Sequence, residues 1–202
     1  VEFVETKILP KYANFDKAHN MEHVTRVIRN SMALARTTGA DVNMVYVIAA
    51  YHDLGMSGPR AIHHITGGKL LMQDMRLRKW FSESQIKIMK EAVEDHRASA
   101  SHAPRSMYGK IVAEADRDID PDMVLRRTVQ FGLANYPEKS RDEQWKRFCD
   151  HLENKYSNNG YIRLWIPGSE NEKKLKALRE IIADRHKLLQ IFNDIYQQES
   201  GE

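Results

Sequence analysis

Apolar residues recur along most of the chain at the three- and four-residue intervals of an amphipathic α-helix. The last segment is typical, because Leu175, Leu178 and Ile182 are followed by Phe192 and Ile195 on a similar period. Glycine and proline residues interrupt the pattern between these segments. We therefore predict helices near residues 2–12, 19–38, 41–53, 62–75, 83–97, 107–116, 121–134, 140–156 and 172–198.

One segment departs from the helical pattern. Residues 160–167, Gly-Tyr-Ile-Arg-Leu-Trp-Ile-Pro, predict a strand or an extended loop. The rest of the chain favours an all-α fold. At 202 residues the chain is long enough for one sizeable core, so we expect a single domain over residues 1–202.

Several ionisable residues stand at positions where the pattern requires apolar ones. His23 and Asp116 each continue an apolar row at helical spacing, and the pair His52-Asp53 ends the apolar run 44–51. Burying such groups costs several kcal/mol each unless they are paired or bound to a metal. A single shared metal ion removes these costs together.

These residues supply two imidazoles and two carboxylates, which suit a divalent metal that activates water. His52 and Asp53 are adjacent and point about 100° apart on a helix, so both reach one ion only at a helix end or between helices. The following Leu54-Gly55 fits a helix that ends there. The alternative is that these are hydrogen-bonded core residues, since nine histidines make His-Asp neighbours common by chance.

Three motifs follow one another along the chain: Asn20–Val27 around His23, then His52-Asp53-Leu-Gly, and then Tyr108–Arg117, which ends in Ala-Asp-Arg. In this order and spacing they resemble the HD-domain superfamily of metal-dependent phosphohydrolases, over roughly residues 15–120. The resemblance implies an HD-domain helical bundle with a helical extension over about residues 121–202. It also implies one divalent metal ion ligated by His23, His52, Asp53 and Asp116.

Two further histidines resemble auxiliary residues of two-metal members. His64 precedes Gly67 by a few residues, and His96 ends an apolar row. With Asp53 as a bridge they would hold a second ion; alternatively they contact the substrate phosphate or only support the ligands. Arg97 stands where some members have another His, and a Gly-Tyr-Pro motif is absent. Met56 replaces a carboxylate usual in 5′-nucleotidases and alarmone hydrolases, which disfavours both assignments.

The implied activity is hydrolysis of a nucleotide or another small phosphorylated metabolite. Asp53 would orient the attacking water, and His96 or His64 would protonate the leaving oxygen. Arg97 and Lys110 are the cations that we assign to the substrate phosphate, although most of the 31 Lys and Arg residues are expected to be solvated surface charges. Two alternatives are a nucleotide-binding sensor without turnover and a di-iron oxidase.

The composition of the chain predicts its partners and its compartment. The net charge of +3 comes from 31 bases and 28 acids spread along the chain, so we predict no nucleic-acid partner. The single Cys149 suits a reducing compartment, and no apolar run predicts a membrane span, so we expect a cytoplasmic protein. Nitrogen and oxygen ligands suit Mn, Fe, Co, Ni, Zn and Mg, which leaves the metal unidentified. The last helix covers the core or forms a homodimer face.

Overall fold

The computed structural model describes residues 1–16, 19–100 and 102–201. Lys17 and Ala18, within the predicted HD core, as well as Ser101 and Glu202, lie outside the described residues. Every regular element in the described ranges is helical, so the all-α prediction is confirmed. The α-helices are Glu2–Lys7 (α1), Met21–Thr38 (α2), Val42–Tyr51 (α3), His63–Gln73 (α4), Glu83–Asp95 (α5), Met107–Ala115 (α6), Pro121–Asn135 (α7), Arg141–Tyr156 (α8), Glu170–Ala183 (α9) and Arg185–Ser200 (α10).

Local signals set several of these helix ends. The Asn20 side chain caps α2 by accepting a hydrogen bond from the His23 N–H, and this cap places His23 in the first turn. Gly39 ends the same helix in the left-handed region, at φ 71°. Ser82 and Gln85 form a reciprocal capping box at the start of α5.

Two of the predicted helices are broken in the structure. The segment 2–12 divides at Ile8 into α1 and a 3-10 helix, Leu9–Asn14, because Pro10 lacks an N–H and its ring clashes with a continuing α-helix. The segment 172–198 divides at Asp184, which is extended at ψ 91° and caps the Lys187 N–H. Residues 160–167 form an extended loop rather than a strand.

The first compact unit comprises Val1–Arg117 and Leu164–Ile166. Its central helix, α3, packs against α2, α5 and α6. Ile48, Met89 and Val93 are fully buried in its core. The short segment 164–166 belongs to this unit because the buried Glu114 carboxylate accepts hydrogen bonds from the N–H groups of Trp165 and Ile166.

The second compact unit comprises Asp118–Arg163 and Pro167–Glu202 and holds α7 to α10. Helix α7 packs against α8 and α10. A row of aromatic rings at 5.2–5.8 Å forms part of its core and contains Trp145, Phe148, Phe192 and Tyr196. Whether the two units make one domain, as the sequence predicts, stays a prediction. No helix among the described residues is long and apolar enough to span a membrane.

Candidate metal centre

The ends of five helices of the first unit carry the candidate ligands. His63 is the first residue of α4, and His23 lies in the first turn of α2. His52, His96 and Asp116 are the residues that directly follow α3, α5 and α6. A helix end has backbone groups without helical partners and a changing chain direction, so side chains from different helices can converge there.

Asp53 lies at the centre of this group. Its Oδ2 atom is 3.2 Å from Nε2 of His23 and 3.1 Å from Nε2 of His52. Its Oδ1 atom is 3.5 Å from Nε2 of His63 and 3.4 Å from Nε2 of His96. The carboxylate therefore presents one oxygen to each pair of imidazoles, which is the arrangement of a ligand that bridges two cation positions. The ligand atoms of His23, His52 and Asp53 lie within 4.8 Å of one another, and so do those of Asp53, His63 and His96.

Three of the imidazoles are oriented in the same way. Nδ1 of His52, His63 and His96 contacts the carbonyl oxygen three residues earlier, at 2.7, 2.8 and 2.6 Å. A carbonyl only accepts hydrogen bonds, so Nδ1 carries a proton and Nε2 is the nitrogen that faces Asp53 and can bind a metal when it carries no proton. Backbone carbonyls commonly fix metal-binding histidines in this tautomer.

Asp116 adds a second carboxylate to the group formed by His23, His52 and Asp53. Asp116 Oδ1 lies 3.3 Å from His23 Nε2 and 3.9 Å from His52 Nε2. On the other side of the His23 ring, the Arg26 guanidinium is 3.1 Å from Nδ1. Because a guanidinium only donates, this contact favours the tautomer with the proton on Nε2. Metal binding at Nε2 therefore requires that proton to leave and Arg26 to turn.

Arg117 joins two of the ligand-bearing helix ends. Its side chain is buried, and NH1 donates to the backbone carbonyl of His96 at 3.1 Å. The same nitrogen lies 3.5 Å from Asp116 Oδ2. Arg117 thus holds the end of α5 beside the end of α6, while also contributing positive charge next to Asp116.

The electrostatics of the centre favour a bound cation. Burial disfavours the charged form of His52, but the negative charge of Asp53 and its hydrogen bond outweigh burial and raise the pKa of His52 to about 9. Burial raises the pKa of Asp53, yet the facing imidazoles overcome this and hold it well below its usual range. At neutral pH the His52 imidazole is therefore protonated and faces the Asp53 carboxylate. A metal ion that binds His52 must displace the proton on Nε2, so metal binding depends on pH.

The structure replaces His64 with His63 as the partner of His96 and Asp53. Neighbouring residues on a helix point about 100° apart, so the side chains of His63 and His64 leave α4 in different directions. His63 faces it, with Nε2 3.1 Å from Nε2 of His96, whereas the His64 ring packs against the His63 ring at 5.6 Å. Gly67 lies one turn after His63 on α4. A Cβ at Gly67 would be 3.1 Å from the His52 carbonyl oxygen, so this face of α4 packs closely against the backbone of His52.

The two predicted phosphate-binding cations differ in position. Arg97 NH1 donates to the Ala61 carbonyl at 2.6 Å, which places its guanidinium beside the turn that leads into His63. Lys110 is half-buried on α6, six residues before Asp116. At 100° per residue that separation places the two residues about 120° apart around the helix. Arg97 thus lies beside the segment that carries His63, whereas Lys110 lies on a different face of α6 from Asp116; the binding of substrate phosphate by either cation stays a prediction.

The chain is similar to a tRNA (cytidine(56)-2′-O)-methyltransferase of Thermoplasma volcanium. The two are 27% identical over 152 residues, which cover 70% of this chain and 43% of the methyltransferase. The chain thus spans less than half the length of this relative. No solved structure is significantly similar to the chain.

Residues 20–118 match the HD domain family. This range contains the converging residues His23, His52, Asp53, His96 and Asp116, together with α2 to α6. The helical fold, the order of the motifs and the family match agree. Residues 20–118 of the chain belong to the HD-domain superfamily.

Proposed function

We propose that this protein is a metal-dependent phosphohydrolase that acts on a nucleotide or another small phosphorylated metabolite. The observation that carries the proposal is the Asp53 carboxylate, which lies with one oxygen toward His23 and His52 and the other toward His63 and His96. Four imidazoles and two carboxylates in so small a volume are the ligand chemistry of a divalent metal centre.

The candidate ligands and His96 have different roles in this reaction. His23, His52, Asp53 and Asp116 would hold the first ion, and Asp53 would also orient the attacking water. The chemistry that such an ion would supply is a lower pKa of the bound water and a polarised phosphoryl oxygen. When the second position holds no ion, His96 would keep its Nδ1 proton bonded to the Val93 carbonyl, and a second proton, carried on Nε2, would pass to the leaving oxygen.

The number of ions follows from the ligand count. At the first position, Asp116 Oδ1 lies 3.3 Å from His23 Nε2 and adds a fourth candidate ligand to His23, His52 and Asp53. Among the described residues, the second position has His63, His96 and the shared Asp53. Fewer ligands give weaker retention, so we expect one tightly bound ion and a second that is lost first on dialysis. Mn, Fe, Co, Ni, Zn and Mg all accept nitrogen and oxygen ligands, and the metal remains to be identified by analysis of the purified protein.

The relative's name concerns methyl transfer to tRNA, and this chain covers 43% of that protein. We propose that the shared segment is an HD module and that methyl transfer belongs to the rest of the relative. The converging imidazoles and carboxylates support this division, because they suit water activation. The lack of a nucleic-acid partner, the homodimer and the cytoplasmic location stay predictions.

Two other functions use the same ligands. A nucleotide-binding sensor would bind metal and ligand without turnover. A di-iron oxidase would need both positions filled by iron, and the three-residue group around His63 is the observation that keeps this function in consideration. Spectroscopy of protein purified without oxygen tests for a coupled iron pair.

A screen of phosphorylated compounds against each divalent metal tests the main proposal. The panel contains nucleoside mono-, di- and triphosphates, sugar phosphates and an oligoribonucleotide with a terminal phosphate. We expect phosphate or pyrophosphate release with at least one metal, and none from Asp53→Asn with the same metal. Tight nucleotide binding without release would favour the sensor, and release by Asp53→Asn equal to wild type would contradict the proposed centre.

A further inference from the structure

Tyr12 makes two hydrogen bonds to the chain segment that carries Asp53. Its hydroxyl donates to the Ala50 carbonyl at 3.0 Å and accepts from the Asp53 N–H at 3.3 Å. The side chain is fully buried and its ring packs edge-on against Phe15 at 5.3 Å. Tyr12 lies in the 3-10 helix Leu9–Asn14, outside the residues 20–118 that match the HD domain family.

These two contacts fall where helical hydrogen bonding ends. The Ala50 carbonyl is among the last four of α3, which lack helical N–H partners. The neighbouring Ala49 carbonyl is already bonded by Nδ1 of His52. One hydroxyl therefore fixes the backbone on both sides of the His52 imidazole and sets the direction in which the Asp53 side chain leaves the chain.

A small movement of the backbone at Asp53 would displace a carboxylate that two pairs of imidazoles share. Its two oxygens contact four imidazoles at 3.1–3.5 Å, so a rotation that improves one side worsens the other. We propose that Tyr12 is a positioning residue for the metal centre, supplied by the segment that precedes the HD domain. The inference rests on the proposed metal centre. In it, the Tyr12 hydroxyl aligns the Asp53 carboxylate between the two pairs of imidazoles.

The test is the affinity of Tyr12→Phe for Zn²⁺ alone, measured by competition with a chromophoric chelator. The substitution removes the hydroxyl and keeps the ring. We expect the dissociation constant of the tightest ion to rise about tenfold, as is usual when a group that orients a metal ligand is lost. A dissociation constant equal to that of wild type would overturn the inference.

Tyr51→Phe is the matched control. Tyr51 is also buried in the first unit and its hydroxyl donates to Asp74 Oδ2 at 2.7 Å, which is not among the candidate ligands. We expect a thermal destabilisation similar to that of Tyr12→Phe, with unchanged Zn²⁺ affinity. An equal loss of Zn²⁺ affinity in both variants would show a general effect of destabilisation and overturn the specific role of Tyr12.

Wild-type protein supplies a second measurement, which also serves if Tyr12→Phe fails to fold. The Tyr12 hydroxyl proton should give a nuclear Overhauser effect to the Asp53 amide, and both signals should shift together on titration with Zn²⁺. A hydroxyl signal that ignores Zn²⁺ while the Asp53 amide shifts would overturn the inference. Wild-type protein that binds no Zn²⁺ or other divalent metal would instead contradict the proposed function itself.

Discussion

The two compact units bury different kinds of polar group. Among the described residues, all the buried carboxylate, imidazole and guanidinium groups lie in the first unit, at His52, Asp53, Asp95, His96, Glu114 and Arg117. The buried polar residues of the second unit are neutral: Thr128, Gln144, Ser157 and Ser169. Both units have apolar cores, so packing alone does not explain the difference.

Charge burial costs free energy unless each charge is matched, and the first unit matches its charges in two ways. The Asp95 carboxylate is paired with Arg105 at 2.8 Å, and Glu114 accepts two backbone hydrogen bonds. At Asp53, by contrast, the carboxylate is surrounded by four imidazoles at 3.1–3.5 Å, each of which can bind a metal ion in place of a proton. The comparison indicates that the buried cluster around Asp53 binds a cation. Substitutions in the two units test this contrast, from the largest expected effect to the smallest.

The largest effect is expected from loss of a shared ligand. Asp53→Ala or His52→Ala should abolish metal retention and lower any hydrolysis by at least about 100-fold, since removal of even a supporting group costs 10- to 100-fold. Helix content should persist, because both residues follow α3 rather than lie within it. Metal analysis of purified variants, with circular dichroism, checks this; full metal occupancy in both would reject the ligand assignment.

Much of the site follows from local sequence, and some of it does not. The helix end at His52-Asp53 was predictable because the apolar run before it has the length of one helix and Leu-Gly follows. The break at Asp184 was not, because the apolar period of α9 continues almost unchanged into α10. The choice of His63 over His64 depends on where α4 begins, and periodicity locates helix starts poorly. Tyr12 contacts residues 38 and 41 positions away, and no local pattern signals such a contact.

The neighbouring pair His63 and His64 gives the next test. His63→Ala should weaken retention of the second ion by more than about tenfold, because Nε2 of His63 is one of its three protein ligand atoms. His64→Ala, one residue away, should leave both ions in place. Metal stoichiometry during stepwise dialysis measures the difference. Equal losses in the two variants would return His64 to the ligand set, and no loss in either would leave a single-ion centre.

A smaller effect is expected from the predicted phosphate-binding cations. Arg97→Ala should raise KM for a phosphorylated substrate about 5- to 10-fold with metal content unchanged, since one charge-assisted hydrogen bond is lost. Lys110→Ala should change KM less, because Lys110 lies about 120° around α6 from Asp116. Steady-state kinetics with the metal held saturating distinguishes them. A larger effect at Lys110 would show that substrate approaches from the α6 side.

The smallest effect should come from the second unit, at its buried Gln144. The Gln144 amide donates to the carbonyls of Gly132 and Tyr136 at 3.1 and 2.7 Å, and its Oε1 accepts from Arg147 Nε at 3.3 Å, so Gln144→Leu removes three hydrogen bonds. Both carbonyls keep a backbone donor, from Tyr136 and Lys139, and we therefore expect a loss of only about 1 kcal/mol in unfolding free energy. That corresponds to roughly 2–4 °C in Tm for a protein of this size. Metal content and metal affinity should not change, because the buried polar groups of this unit are neutral and already satisfied within it. Loss of metal from Gln144→Leu would show that the centre depends on the second unit and would remove the contrast between the two.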